Sequence, residues 1–398
     1  MNETQSTTKM ADHNIVILGG NFAGVGAAHY ILRHVFPALG SLNSTYQIIL
    51  ISPSERTFYK IAAPRNITEP STELFFSIND AFAKYGSSHF QFIQGTAMGL
   101  DTAAREIDIM QSGKALRKIQ YDYLIIATGT TSQSPLWTLQ SDHALTKTSI
   151  DEVHHKLQKA DSVIIAGGGA VGVETAGEIA HYFSVSSCKL YSGSARLLPR
   201  LKSQRIGAEA QSKLEKMGVH VIHDQKVVYA QRAEHGTTSV KFDNGAVEEV
   251  DVFIDATGGK PNSQFLPKEW LDDRGYVLTE MSSMKVKKAP ARVYSIGDVA
   301  SYSNQSLLDV VNAIPALGYS VWFDLHSATN GPDAKSLKPK KYAQVQSDMQ
   351  IVPIGPTGGV GVLFGFQVPN WLVRLVKSRT FLVQKAPGLA TGADYEKP

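Results

Sequence analysis

Two stretches of this chain place glycines where backbone amides, rather than side chains, would do the binding. Gly167, Gly169 and Gly172 follow the short apolar run Val163 to Ala166 in the spacing G-x-G-x-x-G, with Ala170 and Val171 inside the turn and a helical pattern from Val173 to Phe183. Such a turn lets N–H groups and the positive end of a helix approach a pyrophosphate that a Cβ would obstruct. Gly19 and Gly24 repeat the arrangement after Ile15 to Leu18, with Asn21 in the middle place and Phe22 and Ala23 leading into the helix. Asn tolerates left-handed geometry better than most residues but carries a Cβ, so this turn is the looser match. A tight strand-to-helix turn without a ligand is the plain alternative for either stretch; their repetition in the same order favours two nucleotide-binding units.

The residue that ends the second strand of such a unit usually carries an acid for the adenosine ribose. Here the place is held by Ser52, with Glu55 three residues on, and in the second unit by Tyr191 to Ala195 followed by Arg196. The missing acid removes the repulsion against a 2′-phosphate, and Arg196 is placed to pair with one, so NADPH is expected to be accepted alongside NADH. A solvated basic surface is the ordinary reading of Arg196 and Arg200, as a solvated loop is of Glu55.

The elements that hold these turns follow one order twice: strand, glycines, helix, strand, then a strand ending in Ala-Thr-Gly. The first unit runs through Ile48 to Ile51 to Ala127, Thr128 and Gly129; the second runs through Lys189 to Tyr191 to Ala256, Thr257 and Gly258. Phe90 to Ile93, Glu106 to Met110 and Ala115 to Ile119 read as an antiparallel meander. The first unit is completed only by Val293 to Ile296, Gly297 and Asp298, so the second is inserted in it. The expected architecture is α/β: a discontinuous domain of residues 1–145 and 258–334, an inserted domain of residues 146–257, and a small C-terminal α+β domain of residues 335–398, entered through a polar, basic linker.

Composition narrows the chemistry. The 398 residues are 43% hydrophobic and 19% charged, ample for real cores and unlike disordered or collagenous chains. A net charge of +3, from 39 basic and 36 acidic residues, offers no general surface for nucleic acid, and no nucleic-acid partner is expected. One cysteine, Cys188, makes neither a Cys-x-x-Cys redox pair nor a cysteine zinc site, and no metal is expected. A polar start and the lack of 18 consecutive apolar residues point to a cytoplasmic protein without secretory signal or spanning helix, and Asn2 stands where N-myristoylation needs glycine.

The segments "IIAGGGAVGVETAGEIA" (164–180), "YDYLIIATG" (121–129), "FIDATGGKPN" (253–262) and "VYSIGDVA" (293–300) occur in the order that resembles the two-dinucleotide-domain flavoproteins related to glutathione reductase. Within them the chain resembles the apoptosis-inducing-factor-like group that contains ferroptosis suppressor protein, over nearly its whole length. The resemblance implies FAD on the discontinuous domain and NAD(P)H on the inserted one. It implies that Asp298 hydrogen-bonds the FAD ribityl chain and that Glu174 lies near the nicotinamide. "TFYKIAAPR" (57–65) resembles the stretch that approaches the flavin, which adds Arg56, Lys60 and Arg65 to the candidate cofactor residues, Arg65 matching that group's arginine. "VGVLFGFQVPNWLVRLVKSRTFLV" (360–383) resembles the group's C-terminal region, and Lys377 falls on the lysine of its Lys-Ser-Arg element.

In such a protein the cofactors carry the reaction and the fold aligns them. A positive group near the flavin's pyrimidine edge stabilises the reduced anion; the helix after Asp298 and Lys377 are the candidates. Without a dithiol, electrons leave the flavin directly for a small lipophilic acceptor, and quinones fit, being flat and apolar. Phe364, Phe366, Trp371 and Phe381 are candidates to line the entrance, ordinary core being the alternative. Trp371, Leu372, Leu375 and Val376 form an apolar stripe whose usual role is packing on its own domain or on a twin subunit, with peripheral membrane contact as the other use. The expectation is an FAD-dependent oxidoreductase passing electrons from NAD(P)H to a quinone-like acceptor. Its rivals are a flavoenzyme with a dedicated small molecule in secondary metabolism and a redox-sensing binding flavoprotein.

Overall fold

The computed structural model describes residues 13–40, 45–111, 115–233, 236–329 and 335–397. The N-terminal stretch with Asn2 lies outside the described residues. Strand β1 (His13–Leu18) leads through the first glycine turn into helix α1 (Phe22–Tyr30) and returns as β2 (Tyr46–Ser52), parallel to β1 with Ile15 opposite Ile48 and Leu18 opposite Ile51. After the short helix α2 (Ala63–Thr68) come β3 (Phe90–Gln94) and β4 (Tyr123–Ile126).

The second unit repeats this with β5 (Ser162–Ala166), helix α3 (Ala170–Tyr182), β6 (Ser187–Tyr191), helix α4 (Gln204–Lys216), β7 (Val219–Ile222) and β8 (Val252–Asp255). Its sheet runs β7-β6-β5-β8, all parallel. The first sheet runs β9-β4-β1-β2-β3, and its edge strand β9 (Val293–Ser295) comes from beyond the second unit. Helix α5 (Leu307–Thr329) then packs against α1.

The near-continuous Ile, Val and Leu of β1, β2 and β4 reflect burial on both faces. Ile15 and Ile17 point to the layer of α1 and α5, while Val16 and Leu18 point to a layer holding Ile107, Ile109 and Ile119. That second layer is the meander, and here the sequence expectation needs correction. Its strands are Thr96–Asp101, Glu106–Met110 and Arg117–Gln120, whereas Phe90–Gln94 pairs in parallel with β2 from Ile48 to Ser52. Phe90 to Gln94 forms the edge of the parallel sheet, with Phe90 in the layer of α1 and α5 and Ile93 in the layer of the meander.

The C-terminal region is a three-stranded antiparallel sheet (Gln350–Pro353, Gly359–Leu363, Phe366–Gln367), then a helical turn Asn370–Val373 that widens into a π-helical stretch, Arg374–Ser378. The chain finally returns across α1. His29 Nε2 lies 3.0 Å from the Ala390 carbonyl, and Arg33 donates to the Gly392 carbonyl.

Candidate active site

The glycine turns lie at the carboxyl ends of their sheets, where open α/β sheets take ligands. Gly19 and Gly167 have φ of +114° and +123°, and a Cβ on either would overlap the carbonyl of Ala127 or Ala256. This close approach explains why each turn travels with a distant Ala-Thr-Gly. One helical turn further, Gly24 and Gly172 face the carbonyls of Gly19 and Gly167, again with no room for a Cβ.

The middle position differs. Gly169 has φ −77° and ψ −177°, Asn21 has φ −113° and ψ −166°, so both backbones are extended and left-handed tolerance is not what admits Asn21. A Cβ on Gly169 would meet open space, the approach that a pyrophosphate needs, while Asn21 Oδ1 accepts the Phe58 N–H at 3.3 Å.

On the first side a cleft of about 330 Å³ is lined by Gly19, Asn21, Phe22, Ala23, Ser52, Lys60, Ala127, Thr128, Gly129 and Asp298. Ser52 is buried at the end of β2, and a Cβ on Gly20 would press on its side chain; Glu55 is exposed and absent from the lining. Lys60 Nζ pairs with Asp298 Oδ2 at 2.6 Å. Gly297 packs against Ala23, its φ of +83° carrying the chain from β9 to Asp298. The following helix starts at Leu307 rather than at Asp298, so Asp298 is no N-cap; Ser306 and Leu307 still line the cleft. A glycine turn, a helix opening without a side-chain cap, a cleft running from Gly19 to Asp298 in its lining and one carboxylate fit the pyrophosphate and ribityl chain of FAD. Arg56 and Arg65 do not line this cleft.

Asn262, which sequence reasoning missed, binds the two motif ends together: Thr128 Oγ1 donates to its carbonyl at 2.6 Å, and its Nδ2 donates to the Thr128 carbonyl at 2.9 Å. The pairing of Thr130–Ser132 with Gly259–Pro261 holds that crossing in register.

On the second side, Gly169, Ala170 and Val171 open α3 with no side-chain cap, and Asp255 Oδ1 accepts from Thr257 N and Oγ1, fixing the turn before Gly258. Beside β6 a cavity of about 480 Å³ is lined by Ser194, Arg196, Gln204 and Gln211, with no carboxylate in its lining. Arg196 Nη2 donates to the carbonyls of Pro199 and Leu201, at 3.1 and 2.5 Å, and Arg200 donates to Gln305 Oε1.

Between the two sides lies a buried ionic joint. Glu174, on α3 just beyond its turn, accepts from Lys377 Nζ at 2.5 Å, with side-chain exposures of 4% and 16%. Burial pushes the Glu174 carboxyl above its ordinary range, and the Lys377 ammonium pulls against that rise. Four residues on, on the same face of α3, Glu178 receives Arg65 of α2 through Nε and through Nη2. Arg65 therefore lies in this joint, its guanidinium carbon 5.1 Å from the centre of the Phe381 ring. Glu178 went unnoticed in the sequence; its i+4 spacing from Glu174 was the available signal.

The tail aromatics need correction as well. Phe364, Phe366, Trp371 and Leu375 are 63%, 78%, 65% and 60% exposed, while Leu372 and Val376 of the stripe are half-buried, and none of these residues lines the cleft. The reason is local: the hairpin turns at Phe364 and Gly365 and throws both rings outward, and the following helix buries Val373 and Ser378 instead. Only Phe381 is buried.

Two parallel sheets, one interrupting the other in sequence, each with a glycine turn at its mouth, define a two-dinucleotide-domain oxidoreductase. The chain belongs to the pyridine nucleotide-disulphide oxidoreductase family, whose model matches residues 13–316. Its cofactors are FAD and NAD(P)H. It is 33% identical to oxidoreductase phnG of Penicillium herquei, over 98% of this chain and 99% of that one. It is 25% identical to ferroptosis suppressor protein 1 of Xenopus tropicalis, over 94% of each, in line with the apoptosis-inducing-factor-like resemblance. An engineered water-forming NADPH oxidase bound to NADPH shares the fold at 15% identity, with a TM-score of 0.64 over 83% of this chain and 71% of that one. The disulphide of the family's name has no counterpart in Cys188, the only cysteine of the chain, which is buried with its thiol pushed up to about 12. No helix among the described residues is long and apolar enough to cross a membrane.

Proposed function

We propose that this chain takes hydride from NAD(P)H onto FAD and passes the electrons to a quinone-like lipophilic acceptor. The observation that carries the reading is Cys188: with one buried thiol, no dithiol relay stands between flavin and acceptor, so the acceptor meets the flavin itself. Bound FAD and NAD(P)H supply the hydride chemistry. The amides of the turns at Gly19 and Gly167 hold the pyrophosphates, and Asp298 orients the flavin chain, its charge balanced by Lys60. Hydride brings two electrons and one proton, and a hydroquinone needs two protons. We assign the second proton, and the cation for a developing oxyanion, to Lys377 Nζ, held on Glu174.

Anaerobic titration tests this. NAD(P)H should bleach the flavin absorbance and a short-chain ubiquinone should restore it, while Lys377→Met should slow quinone reduction by roughly 10²- to 10⁴-fold, the usual worth of a positioned proton donor. Bleaching that no quinone reverses would move the activity to a dedicated small molecule.

A further inference from the structure

Lys377 sits at the end of a short helix on a separate C-terminal sheet, so its place over Glu174 has to be held by something outside that helix. The last carbonyls of a helix have no partner within it. Here the carbonyl of Ser378 accepts from Arg65 Nη2 at 3.0 Å, and that of Arg379 accepts from Nη1 at 3.4 Å. The same guanidinium grips Glu178 with Nε and Nη2, and its plane lies near the Tyr182 and Phe381 rings. One side chain from α2 is thus fastened at once to α3, which carries Glu174, and to the residues that immediately follow Lys377.

We propose that Arg65 and Glu178 are positioning residues for Lys377, fixing the distance between its ammonium and Glu174 across three separate parts of the chain. The proposal rests on the role given to Lys377 above. The rigid fork of Arg65 is what the geometry requires, since it reaches a carboxylate and two carbonyls in fixed directions, as a lysine ammonium does not. Burial supports the same reading: Glu178 has a side-chain exposure of 0% and Arg65 of 10%, so neither is a solvated surface charge. Ser378 Oγ donates to the Gly358 carbonyl at 2.8 Å and Lys377 Nζ to the Ile351 carbonyl at 3.4 Å, which hold the helix to its own sheet; that sheet packs on α3 through Val352 and Ile354, and Arg65 adds the charged tie that joins α2 to both.

The test is a double-mutant cycle on the FAD-loaded protein, with Arg65→Met, Lys377→Met and both together, each first checked for bound flavin. Arg65→Met should lower kcat for quinone reduction by about 10- to 100-fold, the cost of misplacing a reacting group by about an ångström, with KM for NAD(P)H unchanged. In the Lys377→Met background the same change should cost less than about threefold, because it acts through Lys377. Acetylation of Lys377 by acetic anhydride, followed by mass spectrometry, should be at least about tenfold faster in Arg65→Met, and Glu178→Gln should fall between it and the parent. Should Arg65→Met not hold flavin, Arg65→Lys takes its place, with a smaller loss of the same pattern. Equal losses in both backgrounds, or unchanged Lys377 acetylation, would overturn the proposal. Full quinone reduction by Lys377→Met alone would instead remove the role of Lys377, and this proposal with it.

Discussion

The two glycine turns share a backbone plan and differ in what closes over the helix behind them. Helix α1 is buried along almost its whole length by apolar contacts, and its buried histidine, His29, is stacked on Phe82 at 3.9 Å and bonded to the Ala390 carbonyl. Burial drives His29 down to about 3, so this seal is made by a neutral ring. Helix α3 is closed by charges instead, with two carboxylates meeting cations from α2 and from the C-terminal helix. The first arrangement seals its helix without charge. The second makes a joint at which distant segments report their position to the reacting end of the site.

The largest effects should come from removing what the turns share. Gly24→Ala and Gly172→Ala each force a Cβ into a carbonyl, at a cost of about 3 kcal/mol or more. Urea unfolding should show both losses, with bound flavin lost in the first and NAD(P)H binding in the second. Gly169→Ala, whose Cβ meets nothing, should keep its stability within about 0.5 kcal/mol and weaken NAD(P)H alone.

Next in size is the charged seal. Lys377→Met leaves a buried carboxyl without its cation, which costs about 3–5 kcal/mol if it stays ionised and less if it takes up a proton. Adding Glu174→Gln should recover most of that stability without recovering quinone reduction. If the double variant is no more stable than Lys377→Met, α3 is not held by its charges.

The neutral seal answers to pH. Between about 3 and the ordinary 6.5 the unfolded chain binds a proton at His29 that the folded chain refuses. Stability therefore falls as pH falls through that window, by about 1.4 kcal/mol per pH unit from this group. His29→Leu should flatten the slope, read by chemical denaturation at several pH values. The smallest effect belongs to the middle position of the first turn: Asn21→Ala strands the Phe58 N–H and should cost about 1 kcal/mol, with FAD affinity little changed.

The sheets and turns were legible because their requirements are local: continuous apolar strands for two-sided burial, and glycines where a carbonyl of a later Ala-Thr-Gly presses in. The edge strand at Phe90–Gln94 misled because a short strand flanked by turn residues does not say which strand it pairs with or in which direction. Lys377 and Glu174 were found by resemblance. That Arg65 belongs with Glu178 was not legible, since 113 residues separate them and neither residue type announces a partner. Which way Trp371 and Leu375 look was not legible for a related reason: spacing gives a helix a face, and only the tertiary arrangement decides where that face points.

Cys188 lies on β6, hydrogen-bonded into the sheet between β5 and β7 and 4% exposed. Burial pushes its thiol up to about 12, so the reactive thiolate is scarce near neutral pH. Thiol-directed oxidants and alkylating reagents thus find no handle at Cys188 in the folded chain, and its turnover is insulated from the thiol poise of its surroundings. The same thiol becomes a clock once β6 parts from its neighbours. Its labelling rate counts openings of the β5–β8 sheet, because the first sheet has no cysteine to answer.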